Sequence, residues 1–356
     1  MSEKCRKRSS GKRFARQTPS ILPKLVKGQL NLSQLHPQRK NVPLRKSALA
    51  LAGLLLTATL AGCAPVSDLA CEELTTGDQV KAVSVSGNFG EIPTVTFPSP
   101  LTSESVQSAV IVKGDGPVFT GRNLVEFEFA GYNGGTGELI QQSQFDGGQA
   151  ATAFFGPSQV PNFCAALAGA REGSRVVAVI PPADAHGGEG IPSLGVGPTD
   201  GVVFVFDLRK VFLEKATGST VAPEAGFPAV VKTSDGVPGI TIPNTAAPTE
   251  LKIAQLIRGD GAPVKKGQLV TMHYSGFLWD GAEQFDSSWG KGQPAQFQMQ
   301  DGGLIDGFLQ AVVGQPVGSQ VIAIIPPQLG YGEAGSGSIP PNATLVFVID
   351  ILGTSD

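Results

Sequence analysis

The sequence has few of the residues that bind metal ions. Its 356 residues include four cysteines and three histidines, which form no CxxC pair and no Cys/His cluster. Zinc sites in proteins need three or four such ligands at short spacing. The sequence therefore predicts no metal site. It also lacks the run of about 20 apolar residues that a transmembrane helix requires.

The charges are unevenly distributed along the chain. Residues 1–46 carry 13 of the 27 Lys and Arg residues but one of the 30 acidic residues, Glu3. The chain from Cys63 onward consequently has 14 basic and 29 acidic residues, a net charge of −15. Proteins that bind nucleic acids present a basic face to the phosphates, so we expect no nucleic-acid partner. Solubility is the simplest consequence of the acidic composition.

A short apolar segment precedes Cys63. Arg45 and Lys46 come before it, residues 47–60 are apolar or small, and the segment ends in the letters LAGC. Residues 45–62 resemble a bacterial lipoprotein signal peptide, in which the cysteine is acylated and begins the mature chain. The resemblance implies lipidation at Cys63 and an exported protein, lipid-anchored at the outer face of the bacterial cytoplasmic membrane. An ordinary membrane anchor with an incidental cysteine is the alternative.

The basic N-terminal extension, residues 1–46, is longer than the charged region that begins a signal peptide. One hypothesis is that translation starts later, at a non-Met codon for Val42 or Leu44. The alternative is a disordered cytoplasmic extension. On the other side of the signal segment, residues 63–77 are expected to be a tether.

Export would leave one pair of cysteines for a disulfide. Cys5 would be removed with the signal segment and Cys63 would be acylated, so Cys71 and Cys164 would remain. A disulfide between them would close a loop of about 90 residues and stabilise the fold by roughly 4 kcal/mol. A buried, free Cys164 is the alternative.

The chain after the tether contains the same sequence pattern twice. VKGDG at 112–116 recurs as IRGDG at 257–261, and EGSRVVAVIPP at 172–182 recurs as VGSQVIAIIPP at 317–327. An offset of 145 that persists over so many residues indicates two copies of one domain.

We call these copies the first repeat (78–213) and the second repeat (227–356, with its core at 250–354). Residues 214–226 between them are small, polar and proline-containing, which predicts a linker. In each copy a segment of about 25 residues precedes the GDG turn. It is either an extra strand or an extended arm.

The second repeat has the patterns of several strands and one helix. QLVTMHYSGFL alternates apolar and polar residues, which is typical of a half-buried strand, and QVIAIIPP and ATLVFVIDIL are further strands. LIDGFLQAVVG has the apolar stripe of a helix, with Gly314 at its C-terminal end. We predict an α+β fold for each repeat: an antiparallel sheet of about five strands wrapped over one short helix.

Five motifs of the second repeat occur in a fixed order, namely VTMHYSG, GAEQFDSS, LIDGF, GSQVIAIIPPQLGYG and IPPNATLVFVIDI. Together they resemble the FKBP family of peptidyl-prolyl cis–trans isomerases over residues 250–354. The resemblance implies an enzyme without a cofactor that binds proline-containing unfolded polypeptides and macrolides of the tacrolimus and rapamycin type. With the signal segment, it implies a helper in the folding of exported proteins.

The resemblance also assigns the site by position. It implies catalytic roles for Tyr274, Asp286 and Tyr331, with the Asp286 carboxylate beside the bound amide and hydrogen-bonded to a tyrosine. The Ile305 N–H would hold a substrate carbonyl. The substrate-binding residues that it implies are Phe285, Leu304, Ile305, Phe308, Ile339 and Phe347.

This residue set suits the chemistry of prolyl isomerisation, which breaks no covalent bond. The reaction must lower a barrier of about 18–20 kcal/mol to rotation about the amide C–N bond. A twisted amide has lost resonance and charge separation, so an apolar pocket with fixed hydrogen bonds favours it over the planar ground state.

Three positions of the second repeat need separate interpretation. Ala295 stands where the family usually has an aromatic residue, which predicts a thinner pocket wall. The loop 333–338 is about one residue shorter than is usual. His273, beside Tyr274, is expected to be structural.

The first repeat keeps the apolar frame of the site and loses its polar groups. The positions of the tyrosine, the carboxylate and the second tyrosine hold Phe129, Gln141 and His186, whereas Phe163 and Phe204 keep the floor and one wall. We expect this copy to isomerise poorly and to act as a spacer, a polypeptide-binding module or a dimer contact.

Two other functions fit parts of the sequence. The chain could be a non-catalytic, FKBP-like chaperone or polypeptide-binding lipoprotein, which the retained polar residues of the second repeat argue against. A solute-binding lipoprotein is disfavoured because the two repeats leave no room for a large two-lobed fold.

Overall fold

The computed structural model describes residues 70–71, 76–148, 150–158, 160–222 and 224–355. The predicted basic extension (1–46), the signal segment (45–62) and Cys63 lie outside the described residues, as does most of the predicted tether (63–77). Within the described residues no helix is both long and apolar enough to cross a membrane.

The first repeat forms a six-stranded antiparallel sheet of order β3-β7-β8-β4-β5, with β6 also paired to β4. Its elements in chain order are α1 (Asp78–Lys81), β1 (Ser84–Ser86), β2 (Thr94–Thr96), β3 (Gln107–Val112), β4 (Leu124–Asn133), β5 (Leu139–Gln142), β6 (Ala151–Phe154), α2 (Pro161–Leu167), β7 (Arg175–Ile180), α3 (Pro182–His186), a 3₁₀ helix (Pro192–Leu194) and β8 (Val202–Val211).

The second repeat and the segment before it form a seven-stranded antiparallel sheet of order β14-β13-β17-β16-β12-β9, with β15 also paired to β13. The elements are β9 (Ser219–Thr220), β10 (Ala229–Lys232), β11 (Pro238–Thr241), β12 (Lys252–Arg258), β13 (Leu269–Leu278), β14 (Gln284–Ser287), a 3₁₀ helix (Trp289–Lys291), β15 (Ala295–Gln298), α4 (Asp306–Val312), β16 (Gln320–Ile325), a 3₁₀ helix (Pro327–Leu329) and β17 (Leu345–Ser355).

The sheets have more strands than the five that the sequence pattern predicted. In the second repeat β14 and β15 pair with opposite halves of β13, so they are one row of the sheet broken by the loop between them. The strand of this sheet that exceeds the predicted five is β9. The first repeat also has three described α-helices rather than one. The additions are the short helix α1 and α3, which Pro182 starts and the left-handed Gly187 ends.

Helix α4 packs on one face of the second sheet and completes its main core. The alternation of β13 and β17 points one set of side chains at the helix, including Met272, Tyr274 and Phe347. Gly307 lets the helix approach the sheet closely, since a Cβ atom there would lie 2.4 Å from Cγ2 of Ile325.

The opposite face of each sheet is covered by a two-stranded hairpin. In the second repeat β10 pairs with β11, and Val230 and Ile240 pack against the apolar cluster of that face. In the first repeat β1 and β2 cover the equivalent face through Val85 and Val95. The segments before the GDG turns are therefore separate hairpins, which give each sheet a second buried face.

A buried ion pair fixes the hairpin of the first repeat. Arg175 donates hydrogen bonds from Nε and Nη2 to the two carboxylate oxygens of Asp207 at 2.6 and 2.8 Å, and both side chains are fully buried. Arg175 also donates to the carbonyls of Gly87 and Glu91, and Asp207 accepts from the Gly90 N–H. The ion pair thus supplies partners for the turn between β1 and β2.

The same two positions in the second repeat hold Gln320 and Asp350. Gln320 Nε2 donates to Asp350 at 2.6 Å, and the Ala216 N–H donates to the other carboxylate oxygen at 2.8 Å. Burial raises the pKa of Asp350 above its ordinary value, against the opposing effect of these hydrogen bonds.

The predicted linker, residues 214–226, makes ordered contacts with the second sheet. β9 pairs antiparallel with β12 through Ser219 and Thr220, and the Val221 N–H donates to the Leu256 carbonyl. The Leu213 N–H donates to the Leu352 carbonyl just before this segment. Residues 219–221 therefore extend the second sheet at its edge.

Cys71 and Cys164, the candidate disulfide pair, are bonded in the structure and are 93 residues apart in sequence. Both cysteines are buried, against Ala168 of the first repeat. The described part of the predicted tether is held there as well, because the Ala70 N–H donates to the Thr120 carbonyl.

Candidate functional site

A cavity of about 520 Å³ opens on the helix face of the second sheet. It is bounded by strands β13, β14, β15 and β17, by the start of α4 and by the loop after β16. Eight of the nine residues that the sequence assigned to the site line it, namely Tyr274, Phe285, Asp286, Leu304, Ile305, Phe308, Tyr331 and Phe347. The ninth, Ile339, is 8% exposed and belongs to the apolar cluster of the repeat rather than to the lining.

Aromatic rings form the floor and walls of the cavity. Phe308, from α4, and Phe347, from β17, meet edge to face with their ring centroids 5.1 Å apart. Phe285 packs edge to face on Phe347 at 5.6 Å. Gly276 makes room for this wall, because a Cβ atom there would lie 2.6 Å from Phe285 and 2.9 Å from Phe347.

A further ring, Phe297, lines the cavity and was missed by the sequence analysis. Its centroid lies 5.6 Å from that of Tyr274 and 5.8 Å from that of Phe308. Ala295 itself is not among the lining residues, so the thinner wall expected at its position stays a prediction. Residues two apart share one face of a strand, so the alternation of β15 could have revealed Phe297.

The Asp286 carboxylate is held by three donors on the wall of the cavity. The Tyr274 hydroxyl donates to Oδ2 at 2.5 Å, and Lys291 Nζ and the Ser287 N–H donate to Oδ1 at 2.7 and 2.8 Å. Partial burial alone would raise the pKa of Asp286, but the hydrogen bonds from Lys291 and Tyr274 outweigh it and lower the pKa. The carboxylate is consequently charged at neutral pH.

Tyr274 remains a hydrogen-bond donor at every physiological pH. Burial and the hydrogen bond to Asp286 raise the pKa of its hydroxyl to about 12. Lys291 Nζ also lies 5.9 Å from the centroid of the Tyr274 ring. Sequence analysis missed Lys291, because a lysine in a glycine-rich loop carries no signal of its partner.

The start of α4 presents a backbone donor to the cavity. Ile305 is the N-cap residue, with φ −64° and ψ 140°, and its carbonyl accepts from the Phe308 and Leu309 N–H groups. In the part of the chain that the structure describes, the Ile305 N–H has no protein acceptor, as is usual for the first N–H groups of a helix. It is available to a carbonyl oxygen in the cavity.

Tyr331 lies at the rim, in the loop that follows the 3₁₀ helix Pro327–Leu329. Tyr331 is one of the large apolar residues that are exposed, with a relative solvent accessibility of 37%. Its carbonyl accepts from the Gly335 N–H, which closes a turn in this loop. The hydroxyl can reach solvent and a bound chain alike.

The equivalent site of the first repeat lacks the polar groups. Gly131 pairs with Gln141 as Gly276 pairs with Asp286, so an amide occupies the carboxylate position. Phe129 has no hydroxyl. A cluster of rings fills the neighbouring space, among them Phe155, Phe163, Phe204 and Phe206.

His186 cannot replace the rim tyrosine in that repeat. Its Nδ1 accepts a hydrogen bond from the Gly190 N–H at 2.9 Å, so its Nε2 carries the proton and donates to the Asp200 carbonyl at 2.8 Å. Both ring nitrogens are used within the loop.

No group of three or more His, Cys, Asp or Glu side chains with the geometry of a metal site occurs among the described residues. The cavity offers the carboxylates of Asp286 and Asp306, two phenols and a backbone N–H on a surface with many apolar side chains. Such a site can bind an uncharged, kinked segment of polypeptide and orient its carbonyl groups.

Comparison with known proteins gives a family match within the second repeat and several similar proteins. Residues 261–352 match the family described as FKBP-type peptidyl-prolyl cis-trans isomerase. The chain is 41% identical over 117 residues to the FK506-binding protein of Streptomyces anulatus, covering 32% of this chain and 94% of that protein. It is 41% identical over 115 residues to the probable FK506-binding protein of Corynebacterium glutamicum, covering 32% and 96%. The crystal structure of FkpA from Escherichia coli matches at 32% identity over 37% of this chain and 53% of that one, with a TM-score of 0.28.

Proposed function

The chain belongs to the FKBP family of peptidyl-prolyl cis–trans isomerases, and from this premise we propose that catalysis takes place in the cavity of the second repeat. The substrate would be a proline-containing segment of an unfolded polypeptide. The proline ring would lie on Phe308, between the walls formed by Phe285, Phe297 and Phe347.

The cavity lowers the rotational barrier by favouring the twisted amide. Its apolar walls disfavour the charge-separated planar form, and twisting removes that charge separation. The Ile305 N–H holds a carbonyl of the substrate, and the Tyr331 hydroxyl binds its backbone at the rim. Because these donors belong to the fold, they need no reorganisation as the amide rotates.

Asp286 supplies a fixed negative charge beside the rotating amide. The Tyr274 and Lys291 hydrogen bonds hold the carboxylate in one orientation and keep it ionised. The proposal rests on one observation: the hydrogen-bonded Asp286 carboxylate and the aromatic walls line the same cavity.

The test is a proline-isomerisation assay on the chain from Ala64 onward, which contains every residue that the structure describes. Asp286→Ala should lower kcat/KM by about 10- to 100-fold, since it removes a preorganised charge, and Tyr331→Phe should lower it less. Gln141→Ala, at the equivalent position of the first repeat, is the matched control and should change nothing. A wild-type chain without activity would leave only the non-catalytic, polypeptide-binding alternative.

We propose that the first repeat contributes little isomerase activity and serves as a spacer or binding module. Phe129, Gln141 and His186 support this, because none offers the hydroxyl or carboxylate of the second repeat. The double variant Asp286→Ala/Tyr331→Phe isolates its contribution in the intact chain. Residual activity near the wild-type level would contradict the assignment.

We also propose that the protein is exported, is acylated at Cys63 and assists the folding of exported proteins. The LAGC motif after a short apolar segment supports the anchor, and the disulfide Cys71–Cys164 is typical of an oxidising compartment. Mass spectrometry of the mature protein from membranes should find a diacylglyceryl group on Cys63. An unmodified Cys63 in the mature chain would contradict lipidation.

Macrolides of the tacrolimus type are proposed ligands of the same cavity, on the strength of the family and the aromatic lining. Isothermal titration of wild type and Phe308→Ala measures this binding. Equal heats for both proteins would show that a macrolide does not use the floor of the cavity.

A further inference from the structure

We propose that Trp289 is a positioning residue for the isomerase site, and that the turn of the hairpin β10–β11 holds it in place. The inference rests on the proposed function of the cavity. It assigns a catalytic consequence to a hairpin that lies outside residues 261–352, the part of the chain that matches the family.

The end of β14 and the loop that follows it carry the two charged partners of the site. Asp286 is near the end of β14, and the chain then runs through Ser288 into the 3₁₀ helix Trp289–Lys291. Lys291 turns back and donates to the Asp286 carboxylate at 2.7 Å. The position of this loop therefore decides where the carboxylate lies relative to Tyr274.

The inner side of the loop is anchored to β13. The Ser288 N–H donates to the Tyr274 carbonyl at 3.0 Å, and the Ser288 hydroxyl accepts from the Tyr274 N–H at 2.9 Å. His273 Nδ1 lies 2.8 Å from the same hydroxyl. The His273 ring in turn stacks on Trp289, with centroids 3.8 Å apart and planes inclined by 15°.

The outer side of the indole abuts the hairpin. Gly236, in the turn between β10 and β11, is buried and has φ +97°. A Cβ atom at Gly236 would lie 3.1 Å from Cη2 of Trp289 and 3.3 Å from Cδ of Lys215. Trp289 is thus half-buried, in contact with the His273 ring and with the hairpin turn.

Packing alone holds the indole in this place. Its Nε1 is buried and has no hydrogen-bond partner among the residues that the structure describes. A buried donor without a hydrogen-bond partner is destabilising. The indole stays in this position despite that cost, so its stacking and van der Waals contacts must hold it there. Removing either contact frees the loop that carries Lys291 and that directly follows Asp286.

The experiment compares four variants of the chain from Ala64 onward. Trp289→Ala removes the ring, and Gly236→Ala pushes on it from the hairpin, where no atom of the cavity is touched. Trp289→Phe keeps an aromatic stack on His273. Gly226→Ala is the matched control, since it has the same kind of backbone (φ +85°) with no heavy atom within 4 Å of the added Cβ.

We expect Trp289→Ala and Gly236→Ala to lower kcat/KM by about 10- to 100-fold, the cost of misplacing a catalytic group by about 1 Å. The loss should fall mainly on kcat, Trp289→Phe should restore most of it, and Gly226→Ala should match wild type. Gly236→Ala and Trp289→Phe keep the proposal testable if Trp289→Ala fails to fold.

The pH profile separates positioning from mere stability. A loosened loop would lose the hydrogen bonds that lower the pKa of Asp286, so the acid limb of kcat/KM should move to higher pH. A folded Trp289→Ala with wild-type kcat/KM and an unmoved acid limb would overturn the inference. If the wild-type chain is inactive, the proposed function fails instead. The Asp286 carboxyl titration by ¹³C NMR then decides the inference, and an unchanged pKa in Gly236→Ala refutes it.

Discussion

Replacing Arg175 by Met should strongly destabilise the first repeat. The substitution leaves the Asp207 carboxylate in a fully buried place, where the guanidinium now donates two hydrogen bonds of 2.6 and 2.8 Å. It also leaves the carbonyls of Gly87 and Glu91 without their donor. Removing one partner of a buried ion pair costs about 3–5 kcal/mol, so we expect a loss of that size in the free energy of unfolding.

Urea unfolding can assign this loss to one repeat. The chain has two tryptophans, Trp279 and Trp289, and both lie in the second repeat. Tryptophan fluorescence therefore follows that repeat, whereas far-UV circular dichroism follows both. Arg175→Met should move the circular-dichroism transition of the first repeat and leave the fluorescence transition in place.

A double-mutant cycle with Asp207→Leu tests the electrostatic reasoning. The double variant has no unpaired buried charge, so its loss should be smaller than the sum of the two single losses. Gln320→Met is the matched control in the second repeat, and should cost about 1–2 kcal/mol because its partner, Asp350, can become protonated. Strict additivity of the two single losses would refute the reasoning. A loss below about 1 kcal/mol for Arg175→Met would also refute it, because so small a loss is typical of an exposed ion pair.

Three further predictions concern the cavity, pH and the disulfide. Gly276→Ala should displace Phe285 and lower kcat/KM by roughly 10-fold. The control is Gly131→Ala in the first repeat, where the added Cβ would lie 2.8 Å from Phe204 and kcat/KM should not change. Equal activities of the two variants would contradict the steric argument. His273 is buried, and burial lowers its pKa from 6.5 to about 4. As the pH falls, the unfolded state therefore binds the proton before the folded state does. The free energy of unfolding should decrease between pH 6.5 and pH 4, by at most about 3 kcal/mol. His273→Asn should reduce this slope in urea titrations at several pH values, and an unchanged slope would exclude His273 as its source. Reduction of the disulfide, which spans 93 residues, should lower the stability of the first repeat by roughly 4 kcal/mol, and identical midpoints with and without reductant would contradict that value.

The sequence predicted the features that depend on periodicity and repetition. Alternation along the β13 segment indicated a strand, and the offset of 145 related Gly131 to Gly276, which have the same strand partners in the two sheets. The motifs also located the residues that line the cavity, because FDSS and LIDGF lie on elements fixed by the same sheet.

Contacts between segments far apart in sequence could not be predicted. Lys291 and Trp289 stand in a glycine-rich loop whose composition fits any turn, and their partners depend on where the loop folds. The two hairpins presented short alternating runs that fitted either an added strand or an arm. The hairpin forms because each sheet has an apolar outer face, and Val85 and Val230 pack against that face.

The pairing of β9 with β12 has a consequence for a protein proposed to work among unfolded chains. An exposed sheet edge is a template on which another extended chain can form strand pairs and aggregate. Residues Ser219, Thr220 and Val221 occupy the hydrogen-bonding groups of β12 from Leu256 to Arg258. The connection between the repeats thereby protects part of this edge, so that an unfolded polypeptide held near the cavity meets fewer free backbone groups there.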